Sequence, residues 1–241
     1  MSFYELWNAW GTNYIVAWCV TMKMALISFV LCMILACFIT IMRVSPIRPL
    51  RITGDAYVQI FRNIPAISLL VIVVYALPHL KLILPYDLCV IVCCVLIGSS
   101  FASENIMSGI NTIAIGQIEA ARSLGLTFMQ SLTQVVLPQA LRSCVLPMTN
   151  LLIAIVLTTA IGSQVPLVPQ ELTGIVSYIN TRAVGGIPAF TLSALGYVLS
   201  SLCFSYLGNK LDKAVRIKRC ALLIFPYAMR SMSSPVPLPP V

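Results

Sequence analysis

The residues best placed to do chemistry lie between positions 115 and 141, where the chain reads I-G-Q-I-E-A-A-R-S-L-G-L-T-F-M-Q-S-L-T-Q-V-V-L-P-Q-A-L. Glu119 and Arg122 are its charged side chains, and Ala120 and Ala121 between them add little bulk. That is the chemistry of a contact. Small side chains let the groove of a partner approach the backbone, and a carboxylate and a guanidinium three residues apart can fix register through charge-assisted hydrogen bonds. Gly116 and Gly125 bracket a run of helix formers at 117–124. Glu119 falls in its first turn, where the helix dipole favours negative charge, and Gly125 suits its end. The T-x-x-Q spacing of Thr127 and Gln130 predicts a capping box opening a second helix, with Phe128, Leu132, Val135 and Val136 on one apolar face. Pro138 is expected to stop or bend that helix.

Other chemistries lack material. His79 is the single histidine, no C-x-x-C pair occurs, and eight of the nine cysteines fall in or beside apolar runs, where free cysteine behaves as a small hydrophobe. Neither a metal nor a cofactor is expected. No G-x-x-x-x-G-K is present to cradle phosphates, so the chain has no nucleotide loop of its own. The middles of the apolar runs hold no Asp, Glu or Lys for a proton relay, which weighs against the rival reading of an ion-coupled secondary carrier. Glu104, Asn150, Thr158 and Thr159 are the polar residues that could line a path through the spans, although such residues also serve to bridge helices.

The elements that carry these residues are written for lipid. The chain is 59% hydrophobic and 9% charged, against roughly 25% charged in soluble domains. Apolar runs at 24–42, 64–80, 88–103, 143–170 and 183–209 predict an all-α polytopic protein of about five transmembrane helices, the second and third near the lower length limit. The first run reads poorly as a cleaved signal, being long, preceded by Glu5 and without a small-residue cleavage pattern, so the start of the chain is expected to be retained. Pro166 and Pro169 suggest that the fourth run ends in a re-entrant or surface segment. Trp7, Trp10, Tyr14 and Trp18 are spaced as an anchor belt at the outer interface.

A net charge of +8 could suggest nucleic acid, but the placement of the basic residues speaks for membrane topology. With the N-terminus outside and the C-terminus inside, twelve of the fifteen face the cytoplasm, among them Arg43, Arg48, Arg51 and Arg62 in the first loop. The 104–142 loop then lies on the cytoplasmic side. Residues 1–213 are expected to form the transmembrane domain. A tail at 214–241, basic and then proline-rich, follows, and the basic stretch from Lys210 suits anionic headgroups of the membrane lipid.

The spacing Glu119-Ala120-Ala121, three residues, Gly125, nine residues, then Val135-Val136-Leu137-Pro138 resembles the E-A-A-x3-G-x9-I-x-L-P signature of ATP-driven importer permeases, with valine for isoleucine. Phe61-Arg62-Asn63-x-Pro65 and Ser108-Gly109-Ile110-Asn111-Thr112 resemble the polar amino-acid branch, particularly its glutamate permeases. The resemblance implies that Glu119, Ala120, Ala121, Gly125, Leu137 and Pro138 form a coupling helix and its support, docking into a cleft on a separate ATPase subunit. It further implies a pair of ATPase subunits inside, a second permease subunit beside this one, an extracytoplasmic solute-binding protein outside, and no catalysis by this chain. Two departures bear on substrate. Met107 and Leu157 stand where relatives commonly carry arginine and lysine, which weakens the case for an acidic substrate.

Overall fold

The computed structural model describes residues 2–183 and 185–215, and within them every regular element is helical. Helix α1 (Phe3–Val44) is followed by α2 (Arg48–Asn63), α3 (Ala66–Val71), α4 (Tyr86–Ile110), α5 (Ile115–Ser123), α6 (Phe128–Gln130), α7 (Leu137–Ser143), α8 (Val145–Thr158), α9 (Gly174–Arg182) and α10 (Gly186–Val215). Four elements are long and apolar enough to cross a membrane: α1, α4, α8 with the turn that follows it to Gln164, and α10. Helix α2 and Ala66–Leu80, bent by 103° at Pro65, meet the same test only when joined, and bring the number to five if the pair is counted as one crossing. The expected 214–241 tail lies almost wholly outside the described residues.

The core forms where small residues recur at helical spacing. Along α1, Ala17, Thr21, Ala25, Ser28, Cys32, Ala36 and Thr40 are all buried, one every three or four residues. Such a stripe lets two backbones approach closely without a lipid-driven hydrophobic term. It packs along α4, whose Cys89, Cys93, Cys94, Gly98 and Ala102 answer it. The buried cysteines act here as small apolar side chains. Met148, Leu151 and Ile155 of α8 close this core, and Leu69 and Leu70 of α3 seal its side.

Several expectations are corrected. The first crossing does not begin at residue 24: α1 runs unbroken for 42 residues, opened by a capping box between Ser2 and Glu5. At 1.5 Å per residue that is about 63 Å, twice the hydrocarbon thickness of roughly 30 Å. Its N-terminal rings are more than a belt. Tyr14 donates to the Ala189 carbonyl at 3.0 Å, Trp18 Nε1 donates to Ser200 Oγ at 2.8 Å, and Trp10 meets Tyr178 edge-on at 5.9 Å, so they fasten α1 to α9 and α10. The third crossing is not short, since α4 has 25 residues and continues past Glu104 to Ile110. The first loop is largely the amphipathic helix α2, whose Pro49 sits in the first turn, where a missing N–H costs nothing.

Ahead of two prolines the helical turn widens. The backbone turns through π geometry at Ile72–Ala76 before Pro78 and at Ser131–Val136 before Pro138. A proline ring collides with the carbonyl four residues back, and an extra residue in the turn opens room for it. Pro138 therefore does not stop its helix, because α7 resumes at Leu137.

Candidate functional site

Within the 104–142 loop both expected helices form, but α4 continues to Ile110, and α5 begins at Ile115, so Gly116 lies inside it and Glu119 falls beyond its first turn. Helix α5 spans Ile115–Ser123, and the Leu124 N–H closes it onto the Ala120 carbonyl at 3.1 Å. Gly125 then takes φ +76°, the left-handed region a side chain resists, and nothing lies within 4 Å of where its Cβ would stand. The Leu126 N–H reaches back to the Ala121 carbonyl at 3.2 Å, completing the reversal. The capping box is present: Thr127 Oγ1 accepts from the Gln130 N–H at 3.3 Å, and Gln130 Oε1 accepts from the Thr127 N–H at 2.9 Å.

Exposure divides this segment in two. Glu119, Ala120 and Gly125 are exposed, with Leu124 81% and Ile115 73% exposed beside them. Ala121 is buried within its own chain, as are Leu132 and Val136, which attach the segment to the bundle. Phe128 leaves the expected apolar face and stays 43% exposed, next to an exposed Met129. Leu137 is half-buried and Pro138 exposed. The segment is tied to α4 where Cys144 Sγ donates to the Asn105 carbonyl at 2.8 Å and Gly109 passes so close that an added Cβ would stand 2.7 Å from the Ala140 carbonyl.

The four candidate path residues do not gather at one spot. Glu104 Oε1 accepts from Arg43 Nη2 at 3.0 Å and forms an ion pair with Arg62 Nη1 at 3.3 Å. Arg43 also donates to Asp55 at 2.9 Å and to Ser103 at 3.2 Å, and Arg62 lies over the Phe101 ring at 5.4 Å. Glu104 is therefore the centre of a charge cluster joining α1, α2 and α4, which the sequence reading missed by counting Arg43 and Arg62 only as loop charge. Thr158 donates to the Ala154 carbonyl and Thr159 to the Val156 carbonyl, both within their own helix, and Thr159 is buried. Asn150 is exposed on α8.

A second polar centre stands at the opposite end of the bundle. Glu171 is fully buried and lines a recess of about 200 Å³ together with Ser163, Gln170, Ser177 and Tyr178. Its carboxylate accepts the N–H groups of Thr173 and Gly174, the latter at 2.6 Å, and the Tyr197 hydroxyl at 3.0 Å. Burial pushes this carboxyl upward from its ordinary value, against the pull of those donors. Leu172, the next residue, donates to Thr21 Oγ1 at 3.1 Å and accepts from Ser193, pinning the segment to α1 and α10. Glu171 lies one residue past the fourth apolar run. An acid closely following Pro166 and Pro169 was the available signal.

The arrangement is that of a membrane-embedded bundle displaying an uncovered helix–glycine–helix segment at one end. The profile of binding-protein-dependent transport system inner membrane components matches residues 28–217, and the chain belongs to that family. Among curated relatives, it is 31% identical to the glutamate transport system permease protein GluC of Corynebacterium glutamicum, over 89% of this chain and 99% of that protein. It is also 31% identical to the L-cystine transport system permease protein TcyB of Bacillus subtilis, over 74% and 81% of the two chains. An amino acid ABC transporter crystallised with histidines has a chain of the same fold, at TM-score 0.81 and 23% identity, covering 89% of this chain and 99% of that one. The MetNI methionine ABC transporter in an inward-facing form aligns at TM-score 0.69 and 25% identity over 90% and 100%. This chain is a multi-pass membrane permease component of an ABC-type importer, and the ion-coupled carrier is set aside.

Proposed function

We propose that this chain forms one half of the translocation path of an importer for a polar amino acid, glutamate or a close relation, and passes the work of a separate ATPase subunit to that path through α5. The carrying observation is the exposed face of Glu119, Ala120, Leu124 and Gly125, which leaves backbone and apolar side chains open at a tight reversal. The names of the relatives support the substrate class. In this reading a second permease subunit completes the path, a solute-binding protein delivers substrate outside, and α5 faces the cytoplasm. Shifting a gate from 1:99 to 99:1 needs about 5.5 kcal/mol of differential binding, which a nucleotide-driven clamp on two such helices can supply.

Gly125→Glu tests the reading. A Cβ meets nothing within 4 Å in the isolated subunit and the left-handed φ costs only about 1–2 kcal/mol, so the variant is expected to reach the membrane, yet it places a carboxylate at the docked surface. Desolvating an unpaired charge there costs several kcal/mol. The purified complex is expected to lose its ATPase subunit or its substrate-stimulated hydrolysis. Normal uptake with the ATPase retained would overturn the assignment.

A further inference from the structure

The four arginines of the first connection do two different jobs. Arg43 and Arg62 turn inward onto Asp55 and Glu104. Arg48 and Arg51, in the first turns of α2, are exposed and meet no acidic side chain among the described residues. The one acid of α2, Asp55, is already held by Arg43.

Their position is set by the two crossings they join. Helix α1 ends at Val44, and α2 is turned by 103° from Ala66–Leu80; with Arg48, Arg51, Asp55 and Arg62 among its 16 residues, we read it as lying across the base of the bundle. At 3.6 residues per turn, Leu50 falls on the same stripe as Gly54, Tyr57, Val58 and Phe61. The later residues of that stripe are covered by α1 and α4, whereas Leu50 is left 39% exposed. Ile47 and Ile52 are each 55% exposed beside the free arginines. A short turn with two unpaired guanidinium groups over uncovered aliphatic side chains, held at the membrane boundary, has the chemistry of an interfacial anchor.

We propose that the first turn of α2 is a binding site for the phosphate headgroup of an anionic phospholipid, with Arg48 and Arg51 on the phosphate and Leu50 and Ile52 against the glycerol and upper acyl region. Charge complementarity selects this occupant. A zwitterionic lipid offers a phosphate already neutralised by its own ammonium, while an anionic one leaves the two guanidinium groups their full attraction. The proposal rests on the topology reading above only for which leaflet supplies the lipid.

The test uses the assembled transporter in detergent, titrated with short-chain phosphatidylglycerol or phosphatidylcholine and read by native mass spectrometry, with neither nucleotide nor substrate present. Each basic residue near a lipid surface contributes about fivefold in affinity, so R48Q/R51Q is expected to weaken phosphatidylglycerol binding roughly 25-fold. Phosphatidylcholine binding is expected to be weak and unchanged, and R48K/R51K to retain most of the effect. Equal phosphatidylglycerol affinity in wild type and R48Q/R51Q overturns the site. So does phosphatidylcholine binding as tight as phosphatidylglycerol in the wild type, or loss of the ATPase subunit from R48Q/R51Q with lipid retention intact, which would make this turn a protein contact. Because the readout needs no transport, failure of the importer reading leaves it standing.

Discussion

Arg43 Nη2 stands 3.0 Å from Glu104 Oε1, and the same guanidinium reaches Asp55 through its Nε at 2.9 Å, so one side chain fastens the last turn of α1 to both α2 and α4. The Arg43 side chain is 9% exposed, that of Arg62 38%. Arg43→Ala leaves Asp55 unpaired and Glu104 with Arg62 alone. It is expected to destabilise the purified subunit by about 1–2 kcal/mol, below the cost of breaking a fully buried pair because both acids keep water. Arg62→Ala, the more exposed partner, is expected to cost under about 1 kcal/mol. Thermal unfolding in detergent ranks the two, and an Arg62→Ala defect equal to or larger than that of Arg43→Ala would contradict the geometry.

At Gly125 the backbone and the docking role can be separated. With φ at +76° and open space around the missing Cβ, Gly125→Ala meets conformational strain of about 1–2 kcal/mol and no steric contact in the isolated subunit. Gly125→Asn tolerates the left-handed region and is expected to keep the reversal. If the turn alone matters, asparagine supports uptake better than alanine. If bare backbone is needed for close approach, both fail equally, and ATPase retention in the purified complex distinguishes the two cases.

Glu171 predicts a pH dependence at the other end of the molecule. Burial raises its folded pKa above that of the unfolded chain. The stabilisation from the protonated form is therefore complete below the ordinary carboxylate range and is lost as pH rises through the shifted value. Glu171→Gln cannot titrate and cannot accept both the Thr173 and Gly174 N–H groups, so it is expected to begin about 1 kcal/mol less stable at acid pH. The wild-type advantage should shrink as pH rises above the ordinary carboxylate range. A gap in melting temperature that stays constant or widens as pH rises from that range would refute this account.

What could be read from the sequence was local. Thr127 and Gln130 make their capping box without help from the rest of the chain, and Gly125 needs only its own φ. The long apolar helices follow from composition. Helix α2 was hidden because its segment was read only as a basic loop; Pro49 sits harmlessly in its opening turn, and Gly54 serves a neighbour, since a Cβ there would stand 2.8 Å from Arg43 Cγ. The ends of α1 and α4 escaped for the same reason. Trp10, Tyr14, Glu104 and Asn105 look like the edge of a span until Tyr178, Ala189, Arg43 and Pro147 are placed beside them. Tertiary partners make those polar residues tolerable, and spacing along the chain does not reveal them.

The expected orientation, N-terminus outside, is tested by labelling with single cysteines in a background where the native ones are replaced. The reporters follow exposure. Leu124 is 81% exposed at the end of α5 and Ile83 is 81% exposed between α3 and α4, whereas Ser131 is buried and would react poorly from either side. Leu124→Cys should take up an impermeant maleimide only after the membrane is opened, and Ile83→Cys in intact cells. The reverse pattern would invert the topology and remove α5 from the side where ATP is hydrolysed.

The substrate is where family branch and local residues pull apart. GluC of Corynebacterium glutamicum is named for glutamate, yet this chain has Met107, half-buried on α4, and Leu157, 49% exposed on α8, where positive side chains are common in the branch it resembles. Arg43 and Arg62, which meet α4 at Glu104, are engaged by that acid. A carboxylate taken out of water needs a paired cation or several donors. If a companion permease supplies that cation, the assembled importer takes up an acidic amino acid, and Leu157→Lys in this chain changes uptake by less than about twofold, since the charge would be redundant. If two copies of this chain form the path, no such cation is present, a neutral polar amino acid fits better, and Leu157→Lys should raise the share of glutamate. Competition of radiolabelled glutamate uptake by glutamine, aspartate and arginine, with all subunits expressed together, separates the cases. Aspartate competing best points to the mixed pair, and glutamine competing best points to the homodimer. Strong competition by arginine alone would contradict both.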